Sequence, residues 1–284
     1  MSDSRPPILV LGATSLVGRF LPEIAAAQGR TLIAVSREPP ASGLSGQTWV
    51  RADLTAPDLV LPPASAAVSV SPIWLLPEAL PALERAGVRR IVAMSSTSRF
   101  TKIASPDEKE RGVARSLADA EDALAAFCEP RGIGWTVLRP TLIYAEGRDQ
   151  NISRLAGLIR RFRVLPISGE GSGLRQPVHA QDLAAAALAA LDRPETVGRA
   201  YDLPGGETFS YRAMAGRVFE GLSLSPVIVS VPPPLWRLAL ALASPILPGA
   251  TAAMGDRMSA DLVFDAEPAR RDLDWAPRAF HPKF

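Results

Sequence analysis

Residues 8–18 read Ile-Leu-Val-Leu-Gly-Ala-Thr-Ser-Leu-Val-Gly, an apolar run that breaks at Gly12 and resumes as a helical pattern. Few folds accommodate that switch of period. Apolar residues continue at Leu16, Val17, Phe20, Leu21 and Ile24 and stop at Gly29, so the spacing predicts a strand over 8–12 and a helix over 16–28. The alternation recurs. Strands are predicted over 31–35, 48–52, 66–70, 90–94 and 135–138, with helices over 78–86 and 113–127. Each strand is a continuous apolar run, which a parallel sheet covered on both faces requires. The expected fold class is α/β, a doubly wound parallel sheet that binds ligands at the carboxyl ends of its strands.

Beyond residue 145 the pattern loosens. It predicts a helix over 152–162, a Gly-rich loop over 168–177, a short strand over 177–179 and an alanine-rich helix over 182–191. A last core strand over 200–203, a helix over 211–222 capped by Ser210, a proline-bounded strand over 226–231 and an apolar helix over 235–243 complete it. The expected division is a core of residues 1–204 with a substrate-side insert at 145–176, and a small substrate lobe at 205–284. In the apolar run 232–246 only Arg237 is basic, so packing on the core or on a second subunit, as in a homodimer, is expected rather than a membrane surface.

Composition narrows the classes. The 47% hydrophobic and 21% charged residues exclude disorder as the main state. No run reaches the ~18 apolar residues of a membrane span, and no export signal stands at the N-terminus, so a cytoplasmic location is expected. Lys+Arg 31 against Asp+Glu 29 is too balanced for a nucleic-acid partner. Cys128 is the single cysteine, which leaves no internal disulfide or cysteine zinc site, and no metal is expected.

Gly12 lets the chain turn tightly off the first strand, and Gly18 lets the helix approach the sheet. The backbone N–H groups of Thr14, Ser15, Leu16, Val17 and Gly18 then face a pyrophosphate, which points to a dinucleotide. Ser15 replaces the usual middle glycine, and its small side chain keeps a phosphate within reach. Where an NAD site places an acid after the second strand, this chain has Ser36-Arg37. A hydroxyl and a guanidinium fork suit a 2′-phosphate, so NADP is expected ahead of NAD. Asp53 and Leu54 lie where adenine would be contacted, although Asp53 also fits a plain helix cap. Ser71, past the fourth strand, completes this half.

These residues resemble the extended and atypical short-chain dehydrogenase/reductase superfamily, with its epimerase/dehydratase members. Residues 12–18 match its glycine motif with one change, and Ala93-Met-Ser-Ser-Thr97 its Ser/Thr motif. Leu138-Arg-Pro-Thr-Leu-Ile-Tyr144 is similar to the stretch beside the nicotinamide, which brings in Pro140 and Ile143. Segments 178–183, 201–206 and 270–278 are similar to later signatures. The resemblance implies a Rossmann-type sheet, a small C-terminal substrate lobe and a nucleotide-sugar-like or other phosphorylated substrate. It also implies a Tyr-x-x-x-Lys pair, and the aligned positions here are Val113 and Leu117. No tyrosine has a lysine four residues on, and the only lysines are Lys102, Lys109 and Lys283. Candidate replacements are Thr97, Tyr144 and Lys102, each with a structural alternative: strand-end cap, packing and solvated charge. Arg148, Asn151 and Arg175 fall where relatives face a phosphorylated substrate. His179 is expected to order the next helix together with Asp182. Two classes follow: an oxidoreductase or epimerase with a rearranged proton donor, or an NADP-binding sensor or assembly subunit without chemistry.

Overall fold

The computed structural model describes residues 6–40, 48–243, 255 and 257–284. Six strands come first: β1 (Ile8–Leu11), β2 (Leu32–Ser36), β3 (Thr48–Arg51), β4 (Ala66–Ser69), β5 (Arg90–Met94) and β6 (Gly134–Pro140). Four short ones follow, β7 (Ile143–Tyr144), β8 (Leu165–Ser168), β9 (Leu174–Arg175) and β10 (Val178–His179), then β11 (Arg199–Leu203), β12 (Phe209–Ser210) and β13 (Ile228–Val231). The helices are α1 (Leu21–Ala27), α2 (Leu76–Arg85), α3 (Ser98–Thr101), α4 (Glu108–Cys128), α5 (Ile152–Phe162), α6 (Ala180–Leu191), α7 (Tyr211–Gly221), α8 (Pro233–Ala243) and α9 (Glu267–Leu273).

Seven strands form one parallel sheet in the order β11-β6-β5-β4-β1-β2-β3. The winding reverses between β1 and β4, which opens a crevice at their carboxyl ends. Every residue of β1 and β4 is buried, as a doubly covered sheet demands. One face packs on α1, α6 and α9 through Leu21, Leu183, Leu188 and Leu273. The other packs on α2 and α4 through Leu76, Leu80, Leu83, Leu117 and Leu124. A third apolar cluster joins Tyr144, α5, β8, α7, Met258 and Phe280. The segment expected as an insert therefore shares its core with α7, Met258 and Phe280, which belong to the expected lobe. The tail returns to the sheet: Trp275 Nε1 donates to Pro204 O at 2.9 Å, and Asp272 accepts from the Tyr201 hydroxyl at 2.9 Å.

Several boundaries differ from the sequence expectation. The first helix does not start at Leu16. Residues 12–17 form a turn, a 3₁₀ turn spans Gly18–Phe20, and α1 opens at Leu21. Pro22 sits in its first turn, where the missing N–H costs nothing. The helix expected from 113 begins at Glu108, because the Asp107 side chain accepts from Lys109 N at 2.9 Å. The loop expected over 168–177 contains β9, which pairs antiparallel with β12. Ser210 caps α7, its Oγ accepting from Ala213 N at 3.1 Å. Of the apolar run 232–246, residues 244–246 lie outside the described residues. Among the described residues no helix is long and apolar enough to cross a membrane.

Candidate active site

The turn after β1 is shaped around its backbone. Gly12 adopts φ +78°, and a Cβ there would lie 2.6 Å from Ser71 N, on the neighbouring strand end of the crevice. A Cβ on Gly18 would lie 2.6 Å from both the Gly12 and Ala13 carbonyl oxygens. Within the turn, Gly12 N and Ala13 N bond Val35 O, Ser15 N bonds Gly12 O, and Gly18 N donates to Ser15 Oγ at 3.1 Å. The N–H groups of Thr14, Leu16 and Val17 have no partner among the described residues. Three spare donors on a turn that admits no side chain at Gly12 are a backbone arrangement that suits an anion. Ser15 Oγ holds the Gly18 N–H and keeps its own hydrogen for an anion. The Val17 side chain is buried in the core, so only its backbone faces outward.

A cavity of about 420 Å³ continues from this turn toward β2 and β3. It brings together Gly12, Thr14, Ser15, Ser36, Arg37, Asp53, Leu54 and Ser71. Thr14 Oγ1 lies 3.3 Å from Ser36 Oγ, which ties the turn to the end of β2. Arg37 is exposed on the rim, and no side-chain hydrogen bond or salt bridge holds it among the described residues. Asp53 accepts from Thr55 N at 3.0 Å and Thr55 Oγ1 at 2.9 Å. Those two bonds, and beyond them the Arg37 charge, hold its carboxyl below the usual range. Asp53 thus closes a turn rather than capping a helix, since no helix lies between β3 and β4, and the residue also lines the cavity.

A second cavity of about 550 Å³ starts at Leu16, on the other side of the turn. Thr97, Lys102, Ile143, Asn151 and Arg175 line it, as do Ser96, Asp149, Gln176 and Arg257. Thr97 is 6% exposed; its N–H and its hydroxyl both donate to Pro140 O, each at 3.1 Å. Its proton is committed there, so the oxygen is placed to accept, not to donate. Pro140 itself is buried and contributes this carbonyl rather than a cavity surface. The short helix α3 carries Lys102 to the mouth, where its ammonium lies 3.9 Å from Glu110 Oε1. Glu110 also pairs with Arg257 and accepts from Ser105 Oγ at 2.7 Å. Burial works against its ionisation, but Ser105, Arg257 and Lys102 together keep the carboxyl below its ordinary value.

Other expected residues are placed elsewhere. Tyr144 is 2% exposed and lines neither cavity. Its ring meets His179 and Phe280 edge-on at 5.1 and 5.0 Å. Burial, with Glu146 adding to it, pushes its phenol far above the ordinary tyrosine value. This corrects its candidacy as a proton donor. Arg148 is exposed and outside both cavities. Arg175 reaches the cavity wall, but its guanidinium donates to Leu174 O at 2.6 Å, Ala260 O at 2.8 Å and Arg257 O. It staples the 257–260 segment onto β9. His179 does cap α6, Nδ1 accepting from Gln181 N at 3.1 Å. Its other nitrogen, however, meets Glu146 at 3.2 Å, while Asp182 binds Arg278.

Positions 113 and 117 on α4 carry no chemistry: Leu117 is buried against the sheet, and Val113 packs on the same cluster. One turn further, buried Glu121 accepts from Ser95 Oγ at 2.5 Å, Arg99 at 2.6 Å and Arg139 at 2.6 Å. Sequence reasoning missed this network and Arg257. Their partners lie 18 to 147 residues away in the chain, and no local motif marks them.

The sheet, its reversal between β1 and β4, and the turn at Gly12 define a Rossmann-type dinucleotide-binding protein. Residues 77–203 match the model of the NAD dependent epimerase/dehydratase family. In structure the chain resembles MoeE5 in complex with UDP-glucose and NAD, with TM-score 0.74, 21% identity, and 96% of this chain and 94% of that chain covered. It also resembles UDP-N-acetylglucosamine 4-epimerase from Bacillus cereus, with TM-score 0.73, 17% identity and coverage of 96% and 92%. Likeness at these identities is one of fold. In sequence it is 31% identical over 170 residues to the NADH dehydrogenase (ubiquinone) 1 alpha subcomplex subunit 9, mitochondrial, of Arabidopsis thaliana, covering 59% of this chain and 38% of that protein. The protein of the same name in Dictyostelium discoideum is 25% identical over 140 residues, with coverage of 46% and 38%. The chain thus spans about two-fifths of the length of these relatives.

Proposed function

We propose that this protein binds NADP in the cleft and acts as an oxidoreductase or epimerase on an anionic substrate, nucleotide-sugar-like or otherwise phosphorylated. Residues 1–204 form the cofactor unit in this reading and 205–284 the lobe that covers the substrate. The observation that carries it is the pairing of the two cavities on either side of the Gly12–Gly18 turn. The first offers spare backbone donors and an uncommitted Arg37. The second is lined by Lys102, Arg175 and Arg257 and by the carboxylate of Asp149, while Glu110 pairs with Lys102 and Arg257; that balance suits an anion. A bound nicotinamide supplies hydride exchange. The protein's task is then to place a carbonyl or carbinol and to move a proton. Lys102 is the side chain placed to move it, because Tyr144 is buried and the Thr97 proton is held by Pro140 O. Thr97 orients the substrate hydroxyl by accepting from it.

The second reading, cofactor binding without chemistry, draws support from α4. Hydrocarbon occupies the positions of the missing pair, and the relatives in Arabidopsis and Dictyostelium are named as respiratory-complex subunits. NADPH oxidation and sugar-nucleotide conversion by wild type, Lys102→Met and Thr97→Val distinguish the two. The first reading expects turnover that falls by about 10²–10⁴ in Lys102→Met with NADPH affinity unchanged. Tight NADPH binding with no turnover across a broad carbonyl and sugar-nucleotide panel establishes the second.

A further inference from the structure

Charge is segregated in two segments that the β8–β13 pairing joins. The chain as a whole is nearly balanced. Segments 152–168 and 222–243, however, contain arginines and no aspartate or glutamate. Helix α5 buries Ile152, Leu155, Ala156 and Ile159. Arg154, Leu158, Arg161 and Phe162 recur at helical spacing on its solvent side. Phe162 is 57% exposed, with the Arg161 guanidinium 5.2 Å from its ring centroid. Arg154, Arg160, Arg161 and Arg163 make no salt bridge among the described residues. The chain then turns at Arg163 into β8, which pairs with β13 so that exposed Val229 stands opposite exposed Pro166. Val231 leads into α8, whose Leu238 is 58% exposed.

From these observations we infer that these two segments dock on the surface of an anionic lipid bilayer, with the arginines at the headgroups and Phe162, Val229 and Leu238 among the acyl chains. The 232–246 run holds a single basic residue, Arg237, and the β8–β13 pairing joins it to the segment that follows the arginines of α5. Exposed apolar side chains interleaved with the α5 arginines, which make no salt bridge among the described residues, fit a surface that is anionic outside and hydrocarbon beneath. The contact is peripheral, since no described helix can cross a membrane.

The test is co-flotation of the full chain with vesicles of phosphatidylcholine alone and with phosphatidylglycerol added. Wild type should float only with the anionic vesicles and be released by salt. Reversing Arg160, Arg161 and Arg163 to Glu should lower the partition coefficient at least about a hundredfold, taking each cation as worth about fivefold. Phe162→Ser with Leu238→Ser should weaken the binding that survives at high salt, and Arg270→Glu on α9 should change nothing. No flotation of wild type with anionic vesicles at low salt would overturn the inference, whether or not the triple variant folds. So would flotation unaffected by the reversals, or a dimer in solution that the same reversals dissociate, which would assign the face to a second copy.

Discussion

Replacing Gly12 by alanine tests the phosphate turn where its geometry is tightest. The residue sits at φ +78°, a conformation that costs an L-residue about 1–2 kcal/mol. The added methyl would lie 2.6 Å from Ser71 N and 2.8 Å from Ser71 Cα. These are backbone atoms of the next strand end and cannot rotate away. Relief requires β1 and β4 to part by several tenths of an ångström, an overpacking cost of ~1–3 kcal/mol. The sum is about 2–5 kcal/mol, within reach of a domain's whole stability. The shift also widens the crevice and moves the Thr14, Leu16 and Val17 donors. Urea denaturation of Gly12→Ala should show a lowered midpoint at unchanged slope. Calorimetry on the folded fraction at low temperature should show NADPH affinity reduced beyond detection. A variant as stable as wild type that binds NADPH normally would refute the argument, since neither strain nor cradle would then exist.

Ser15→Gly should retain cofactor affinity and lose only a few tenths of a kcal/mol in a melting experiment, because Ser15 Oγ caps Gly18 N while the free donors lie on neighbouring residues. Tyr144→Phe should leave both NADPH affinity and any turnover unchanged, as its hydroxyl lies outside both cavities. A loss of turnover without unfolding would restore it as the acid. The Asp272 carboxyl is held down to about 2, first by Arg271 and then by the Tyr201 hydroxyl. Its contribution is present above the unfolded value of about 3.9 and is lost as pH falls through that value toward about 2. The acid limb of wild-type stability should therefore flatten in Asp272→Asn, read from denaturation midpoints across that window.

The sheet was legible because parallel strands buried on both faces must be apolar runs, and the glycines at 12 and 29 punctuate the first unit. The cleft was legible for a related reason. A phosphate turn is made by backbone, so its sequence marks are local, and Ser36-Arg37 follows from its position after β2. The second cavity was read less well. Thr97 and Lys102 were found through a motif and a loop, but the direction of the Thr97 proton depends on Pro140, which is 43 residues away. Tyr144 follows a recognisable stretch, yet its orientation is set by His179 and Phe280, from two distant elements. Arg175 reads as a free guanidinium in a glycine-rich segment. Only the folded 257–260 backbone shows where its donors go. Glu121 sits in a helical pattern as one acid among several, and its burial with Arg99 and Arg139 is a purely tertiary fact.

The central claim is that the cleft takes a phosphorylated dinucleotide and that Arg37 reads the 2′-phosphate. Calorimetric titration of wild type and Arg37→Ala with NADPH and with NADH tests it most directly. Tighter binding of NADPH than NADH by wild type is expected. Arg37→Ala should lose ~1.5–3 kcal/mol for NADPH and almost nothing for NADH. Equal affinity for the two cofactors, tighter NADH binding, or an NADPH affinity indifferent to Arg37 would contradict it.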